Sequence, residues 1–484
     1  MEIENSPLWT EVQSVISSAN TSSHYAYTAT IHANGMDYPV FKVLEINNRR
    51  DYEAAHADEM IIKVMIPKGI YYAYIYPFMD ALEMTVYKTP LGEVSDATTG
   101  STVETERYVA TIAKKDSGGN PLMQHNGANM PTIKTLNLSD IDPVEFQLMN
   151  KAIVQMHMTQ TGQIFRGCTT DTAIRAILTQ TSQNAVSNSV RTITGVSMVK
   201  GHNQTVRDHI VIPQGISALD IPQYIHERCG GVYTSGFGYY LQGQSWYVYP
   251  SYDPTRTNTG GPTLTIINIP EMKLPSIERS FQQRGNNIVI LGNGQTKFSD
   301  QTNHDQLNHG NGVRFTDAAN FIDKIATATG NKALMMRNAL NTEVMNVKRA
   351  NGYQNAKRSA TPINANPYQE YSQLAKRSGS VVGVVWQNSN PALITPGMPV
   401  TMLYLNGEMV STLNGVVLKA EHHTRSTSTG ANNSRHVTDT GLAIFTARPV
   451  GNGNLQNTNS IQYPSIGSIG TAVSNLANDL SGLI

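Results

Sequence analysis

At 484 residues the chain is too long for one ordinary core, and a prior of roughly 100–200 residues per domain divides it into about three or four modules. Its 36 lysines and arginines balance 36 acids, which excludes a global pull toward nucleic acid or anionic membrane. Charged residues make up only 15%, below the roughly 25% of ordinary soluble domains, while Asn, Gln, Ser, Thr and Gly are abundant, as suits a β-rich, loop-rich assembly protein.

Two cysteines, Cys168 and Cys229, are too few for a disulfide framework, and Met1-Glu2-Ile3-Glu4 opens no signal segment. No apolar run of about 18 residues offers a bilayer span. Synthesis in a reducing cytoplasm is the expectation.

Residues 24–43 alternate as strands around Asn34-Gly35, the dipeptide of a tight hairpin. Ile62, Val64 and Ile66 share one strand face before Pro67-Lys68-Gly69 breaks the run, and Leu82, Met84 and Val86 share another. With a further strand from Tyr108, residues 1–116 read as an antiparallel β-barrel or sandwich. Asp142-Pro143-Val144-Glu145 then predicts a helix start, with Asp142 as cap and Pro143 in the first turn. Phe146, Met149, Ile153 and Met156 would lie on its inner face. Residues 136–200 are therefore read as a helical or mixed insert, completed by a helix carrying Ile174, Ile177 and Leu178.

Residues 201–300 read as a mixed α/β domain. A helix bearing Leu219, Tyr224 and Ile225 should end at Gly230-Gly231. An aromatic hairpin follows, turning at Gln242-Gly243-Gln244 and carrying Tyr239, Tyr240, Trp246, Tyr247 and Tyr249. It packs on its own domain or anchors an interface. Strand-like runs recur at 264–269 and 288–291, and Gly292-Asn293-Gly294-Gln295-Thr296-Lys297 is expected to be a hairpin turn.

Residues 301–379 combine a helix through Phe321, Ile322 and Ile325 with a basic stretch. It sets Lys332, Arg337, Lys348, Arg349, Lys357, Arg358, Lys376 and Arg377 against Glu343 and Glu370. Only three tyrosines are interleaved, so an acidic neighbour is expected there in place of a specific nucleic-acid site. Residues 380–450 form a second β module. Residues 451–484 comprise a polar linker and an amphipathic helix starting near Pro464, whose seam is Ile466, Ile469, Val473, Leu476, Leu480 and Leu483. With Asp479 its single charge, that helix should form only when docked, on its own chain or on a partner.

No catalytic constellation emerges. His226-Glu227 lacks the second histidine of a metalloprotease helix, Gly379-Ser380-Val381-Val382-Gly383 has the wrong spacing for a nucleophile elbow, and 292–297 lacks the order of a phosphate loop. No catalytic, metal-binding or cofactor-binding residue is assigned, and no cofactor is expected. Carboxylates paired across the fold would escape such a search.

Two stretches carry a resemblance. Residues 61–67 (Ile-Ile-Lys-Val-Met-Ile-Pro) with 74–83, and residues 221–226 with 231–240 and 246–250, resemble the N-terminal barrel and central part of baseplate hub (tail hub) proteins of contractile-tailed phages. The resemblance implies a β-rich α+β fold with two tail-tube-like antiparallel β-barrel modules and inserted mixed α/β domains. It also implies a non-enzymatic homotrimer in the virion baseplate, with tail tube above, central spike below and other baseplate proteins around it. Zero net charge fits a lumen that passes DNA without gripping it. The competing readings are a tail-associated hydrolase of cell wall or polysaccharide and a receptor- or carbohydrate-binding tail module.

Overall fold

The computed structural model describes residues 7–17, 25–91, 103–113, 141–183, 193, 195–258, 261–269, 280–300, 368, 372, 375–376, 379–406, 409–427 and 435–447. The first strands are β1 (Tyr25–Ala33), β2 (Met36–Pro39), β3 (Lys42–Asp51), β4 (Glu59–Pro67), β5 (Leu82–Pro90), β6 (Glu104–Ile112) and β7 (Ile141–Met149). Asn34 and Gly35 take φ of 50° and 74° between β1 and β2, the left-handed pair that a two-residue hairpin demands. Ile62, Val64, Ile66, Leu82, Met84 and Val86 are all buried in one cluster, as their alternation requires. Between β4 and β5 the chain winds helically through residues 68–81, burying Tyr71 and Ile75. The strand alternation gives no hint of this segment.

The helix expected from Asp142 is instead β7. It pairs antiparallel with β4 from Met60↔Leu148 to Pro67↔Ile141, and with β6 on its other edge. Its capping signal is worth about 1 kcal/mol, whereas burying Val144, Phe146 and Leu148 contributes roughly 1.5–3 kcal/mol each. The helix begins later, where Asn150 Oδ1 accepts the N–H groups of Ala152 and Ile153.

With α1 (Pro7–Ile16) at the start of the chain, that helix is α2 (Lys151–Met158). It opens an α/β body of β8 (Gln160–Cys168), α3 (Thr170–Gln183), β9 (Gly195–Met198), β10 (Arg207–Ser217), α4 (Ile221–Arg228), β11 (Gly238–Gln242) and β12 (Ser245–Tyr249). Trp246, Ile174, Ile177, Leu178 and Ile225 fill its core, and Trp246 Nε1 donates to Ser182 Oγ at 2.8 Å. Gly230 and Gly231 take φ of 109° and 76° just past α4, as its expected end requires.

The remaining strands are β13 (Thr263–Ile269), β14 (Phe281–Arg284), β15 (Asn287–Asp300), β16 (Gly379–Trp386), β17 (Pro399–Asn406), β18 (Met409–Ser426) and β19 (His436–Ala447). The expected turn at 292–297 lies inside β15, where pairing with β16 shifts register between Asn293 and Lys297. A Cβ on Gly292 would approach Val384 Cγ1 to 2.7 Å, so glycine serves close packing there and not a reversal.

Pairing closes two circuits. The first runs β18-β3-β4-β7-β6-β5-β1-β19, closed by the pair β18–β19, and the second runs β13-β17-β18-β19-β16-β15 through that same pair and is closed by β13–β15. A single strand can serve both because β18 spans 18 residues. Its first half pairs with β17 and its second with β3, while β19 holds the other edge from Gly415 to Ser426. The partner changes at a bulge between Val417 and Lys419, where Leu418 O accepts Tyr52 N–H at 2.9 Å.

The two circuits thus draw on strands from both ends of the chain and from 201–300, whereas the sequence pattern divides them into one N-terminal set and one C-terminal set. Each interior is packed: Ile31, Ile62 and Phe146 in the first, Trp386, Ile266, Ile290 and Ile444 in the second. On the outer face of β13 and β15, Ile267, Ile269, Val289 and Leu291 are covered by Leu8, Val12 and Val15 of α1. Among the described residues no helix is long and apolar enough to cross a membrane.

Candidate functional site

Strand β3 places Ile46, Asn48 and Arg50 on one parity, so the inward face of the first circuit changes from apolar to charged along the strand. Tyr27 of β1, Lys88 of β5, Glu104 and Glu106 of β6, and His422 and Thr424 of β18 do the same. They line a cavity of about 310 Å³ at that end of the circuit, roofed by Gln242 and Gly243 of the aromatic hairpin and by Pro391 and Ala392.

Asp58 organises the junction. It accepts from Arg50 Nε at 3.0 Å, Asn48 Nδ2 at 2.9 Å and the Tyr240 hydroxyl at 2.9 Å, and Arg50 Nη1 donates to Pro391 O at 2.8 Å. Burial alone would lower the Arg50 pKa, but the Asp58 charge, with Tyr52 and Tyr240, raises it above the ordinary value. The Asp58 network therefore ties the α/β body and the 391 loop to the first circuit through a largely buried charged pair. Burial raises Glu106, against the hydrogen bond from Tyr108, and lowers His422 well below the ordinary imidazole value, with Arg50 adding to the effect.

Acid should weaken this arrangement. Burial pushes His226 down to about 4 and depresses His56 and His422 in the same direction. Their unfolded values lie near 6.5, so the unfolded chain binds more protons below that pH. Stability therefore falls as pH drops from about 6.5 toward 4, by roughly 3 kcal/mol for His226 alone. Glu106 has the opposite sign: the fold favours its neutral form, and stability on its account declines as pH rises above its ordinary 4.5. The histidines outnumber it, and the urea midpoint should be lower at about pH 5 than at about pH 7. A midpoint that is equal or higher at the lower pH would contradict this.

The aromatic hairpin is β11–β12, turning where expected, with Gln242↔Ser245 as its last pair. Tyr239, Tyr240, Trp246 and Tyr249 are buried within the chain and Tyr247 is half-buried, so these rings join the α/β body to the circuits and present no exposed interface anchor. Tyr249 donates to Tyr52 O at 2.9 Å, and the Tyr52 and Tyr240 rings meet edge to face at 4.9 Å. Of the basic residues, Lys376 pairs with Glu53 and stands over the Tyr252 ring. Lys348, Arg349, Lys357, Arg358 and Arg377 lie outside the described residues, as does the seam Ile466, Ile469, Val473, Leu476, Leu480 and Leu483.

A second cavity of about 820 Å³ opens between the turn after β3, helix α4 and the start of β11. Its lining includes Glu53, His56, Asp220, Tyr224, Glu227, Phe237 and Lys376. His226 on the same wall accepts Val232 N–H at 3.1 Å and stacks on Phe237 at 4.8 Å, a packing role. Among the described residues no three His, Cys, Asp or Glu side chains cluster to hold a metal. Sequence reading missed Arg50, Asp58, Glu106 and His422. The available signal was a charge at an inward-parity position of β3.

No protein-family model matches the sequence, and no curated protein matches it. Among solved structures, the chain is similar to a tail protein from Neisseria meningitidis at TM-score 0.40 and 10% identity, over 87% of this chain and 96% of that one. A type VI secretion component from E. coli, described as structurally similar to bacteriophage T4 tail proteins, gives TM-score 0.37 at 8% identity, covering 86% of this chain and 77% of that one. A prophage tail protein from Shewanella oneidensis gives TM-score 0.35 at 8% identity, covering 88% of this chain and 97% of that one.

Proposed function

We propose that the chain is a structural subunit of a contractile-tail baseplate, a hub protein whose three copies form a ring between tail tube and central spike. The observation that carries this reading is the pair of closed strand circuits sharing β18–β19. Two fused barrels per subunit would let three subunits present six barrel units to a sixfold tube, as the hub-like stretches at 61–83 and 221–250 imply. Since each circuit is filled with side chains, the passage for DNA would run between copies and not through a barrel. Closed rotational symmetry is the ordinary outcome for such contacts. The protein would be made in the host cytoplasm and carried in the virion tail, touching the tube above, the spike below and other baseplate proteins.

Negative-stain microscopy of the purified chain and of assembled tails tests this. A ring with a central opening and the mass of three chains is expected. A monomer in solution together with no ring in assembled tails would refute the hub assignment. The hydrolase alternative is answered by peptidoglycan zymography, where no cleared band is expected; a band abolished by replacing one carboxylate would displace the structural reading.

A further inference from the structure

The 820 Å³ cavity falls within the roughly 300–1,000 Å³ range of small-molecule sites and lies where three parts of the fold meet, a usual place for one. Its walls combine two kinds of surface. Tyr224 and Phe237 are half-buried and supply apolar ring surface. Asp220, at the start of α4, is exposed and makes no capping bond, leaving its carboxylate to accept from other donors. Glu227, two turns further along, is held by Gln223 Nε2 at 2.6 Å, which fixes the direction of its remaining lone pairs.

The charge of the lining narrows the ligand. Glu53 is engaged by Lys376 and by the Tyr252 hydroxyl. The open face keeps Asp220 and Glu227 with one cation, Arg228, while His56 and His226 are held neutral by burial. Phosphates and acidic polymers are repelled by such a lining, while Arg228 offsets one of the two open carboxylates and Asp220 is exposed, so an ion pair formed there by a cationic ligand contributes little. A ligand with a flat C–H face and several hydroxyl donors meets both surfaces, stacking on a ring while donating to oriented carboxylates.

We propose that this cavity is a binding site for neutral oligosaccharide, built around Tyr224, Phe237, Asp220 and Glu227. The claim is independent of the hub assignment: it concerns one chain, whereas the ring concerns contacts between chains.

Isothermal titration of the full chain with chitotetraose, cellotetraose and maltotetraose as neutral probes, and tetralysine as a cationic one, tests it. At least one neutral probe should bind. Tyr224→Ala should lower its affinity about tenfold, Asp220→Asn several-fold, and tetralysine should not compete. Asp220→Asn removes no bond that holds the fold, so it decides the matter if Tyr224→Ala melts early. Absence of binding by all three neutral probes, affinity unchanged in Asp220→Asn, or displacement by tetralysine would each overturn the proposal. Any of these would leave the microscopy of the ring unaffected.

Discussion

Replacing Asp58 by alanine is expected to destabilise the chain by about 3–5 kcal/mol, the cost of stranding one half of a buried ion pair. The Arg50 side chain is 10% exposed and that of Asp58 19%, so little water reaches the guanidinium once its partner is gone. The loss extends beyond the pair, because Asn48 Nδ2 and the Tyr240 hydroxyl give up their acceptor in the same step. Urea unfolding of the single variant and of a double variant, Asp58→Leu with Arg50→Met, separates the pair from its consequences. The double variant should recover much of the loss, since apolar replacement removes the desolvation cost along with the attraction. A single variant within about 1 kcal/mol of the parent would mean that the junction is wetter than its burial implies.

The second large effect is expected from Trp386→Ala, about 3–5 kcal/mol. Trp386 is fully buried in the second circuit, its Nε1 donates to Ser280 Oγ at 2.7 Å, and its ring meets Phe281 edge-on at 5.7 Å. Removing it leaves a cavity that strands cannot collapse into without breaking ladder bonds. Because β18 and β19 wall both circuits, the damage should not stay local. Thermal unfolding followed by tryptophan fluorescence and by far-ultraviolet circular dichroism should shift to lower temperature as one coincident transition. Two separated transitions, with part of the strand signal melting at the parent temperature, would show that the shared hairpin does not couple the circuits.

Much of the local structure follows from short-range pattern alone. Alternation at Ile62, Val64 and Ile66 dictates a strand with one buried face, Asn34-Gly35 dictates a left-handed two-residue turn, and Gly230-Gly231 ends α4, because each depends on backbone geometry within a few residues. The failures have the same origin. Asp142-Pro143-Val144-Glu145 satisfies a helix start locally, yet two neighbouring strands, from 59–67 and 104–112, claim both edges of that segment. Local propensity is small beside an apolar face buried on a sheet.

The junction was illegible for a related reason. Arg50 and Asp58 are only eight positions apart, but the Tyr240 hydroxyl that completes the network arrives from 182 residues away. Strand parity, turn chemistry, a helix through Ile174, Ile177 and Leu178, a helix ending at Gly230-Gly231, and the lack of any familiar catalytic motif were all legible in the residues alone. Long-range pairing set the rest: that β18 is long enough to serve two circuits, that the aromatic hairpin turns its rings inward, and which charges meet at one end of the first circuit. Strand partners are chosen by burial summed over the whole chain, and no window of sequence contains that sum.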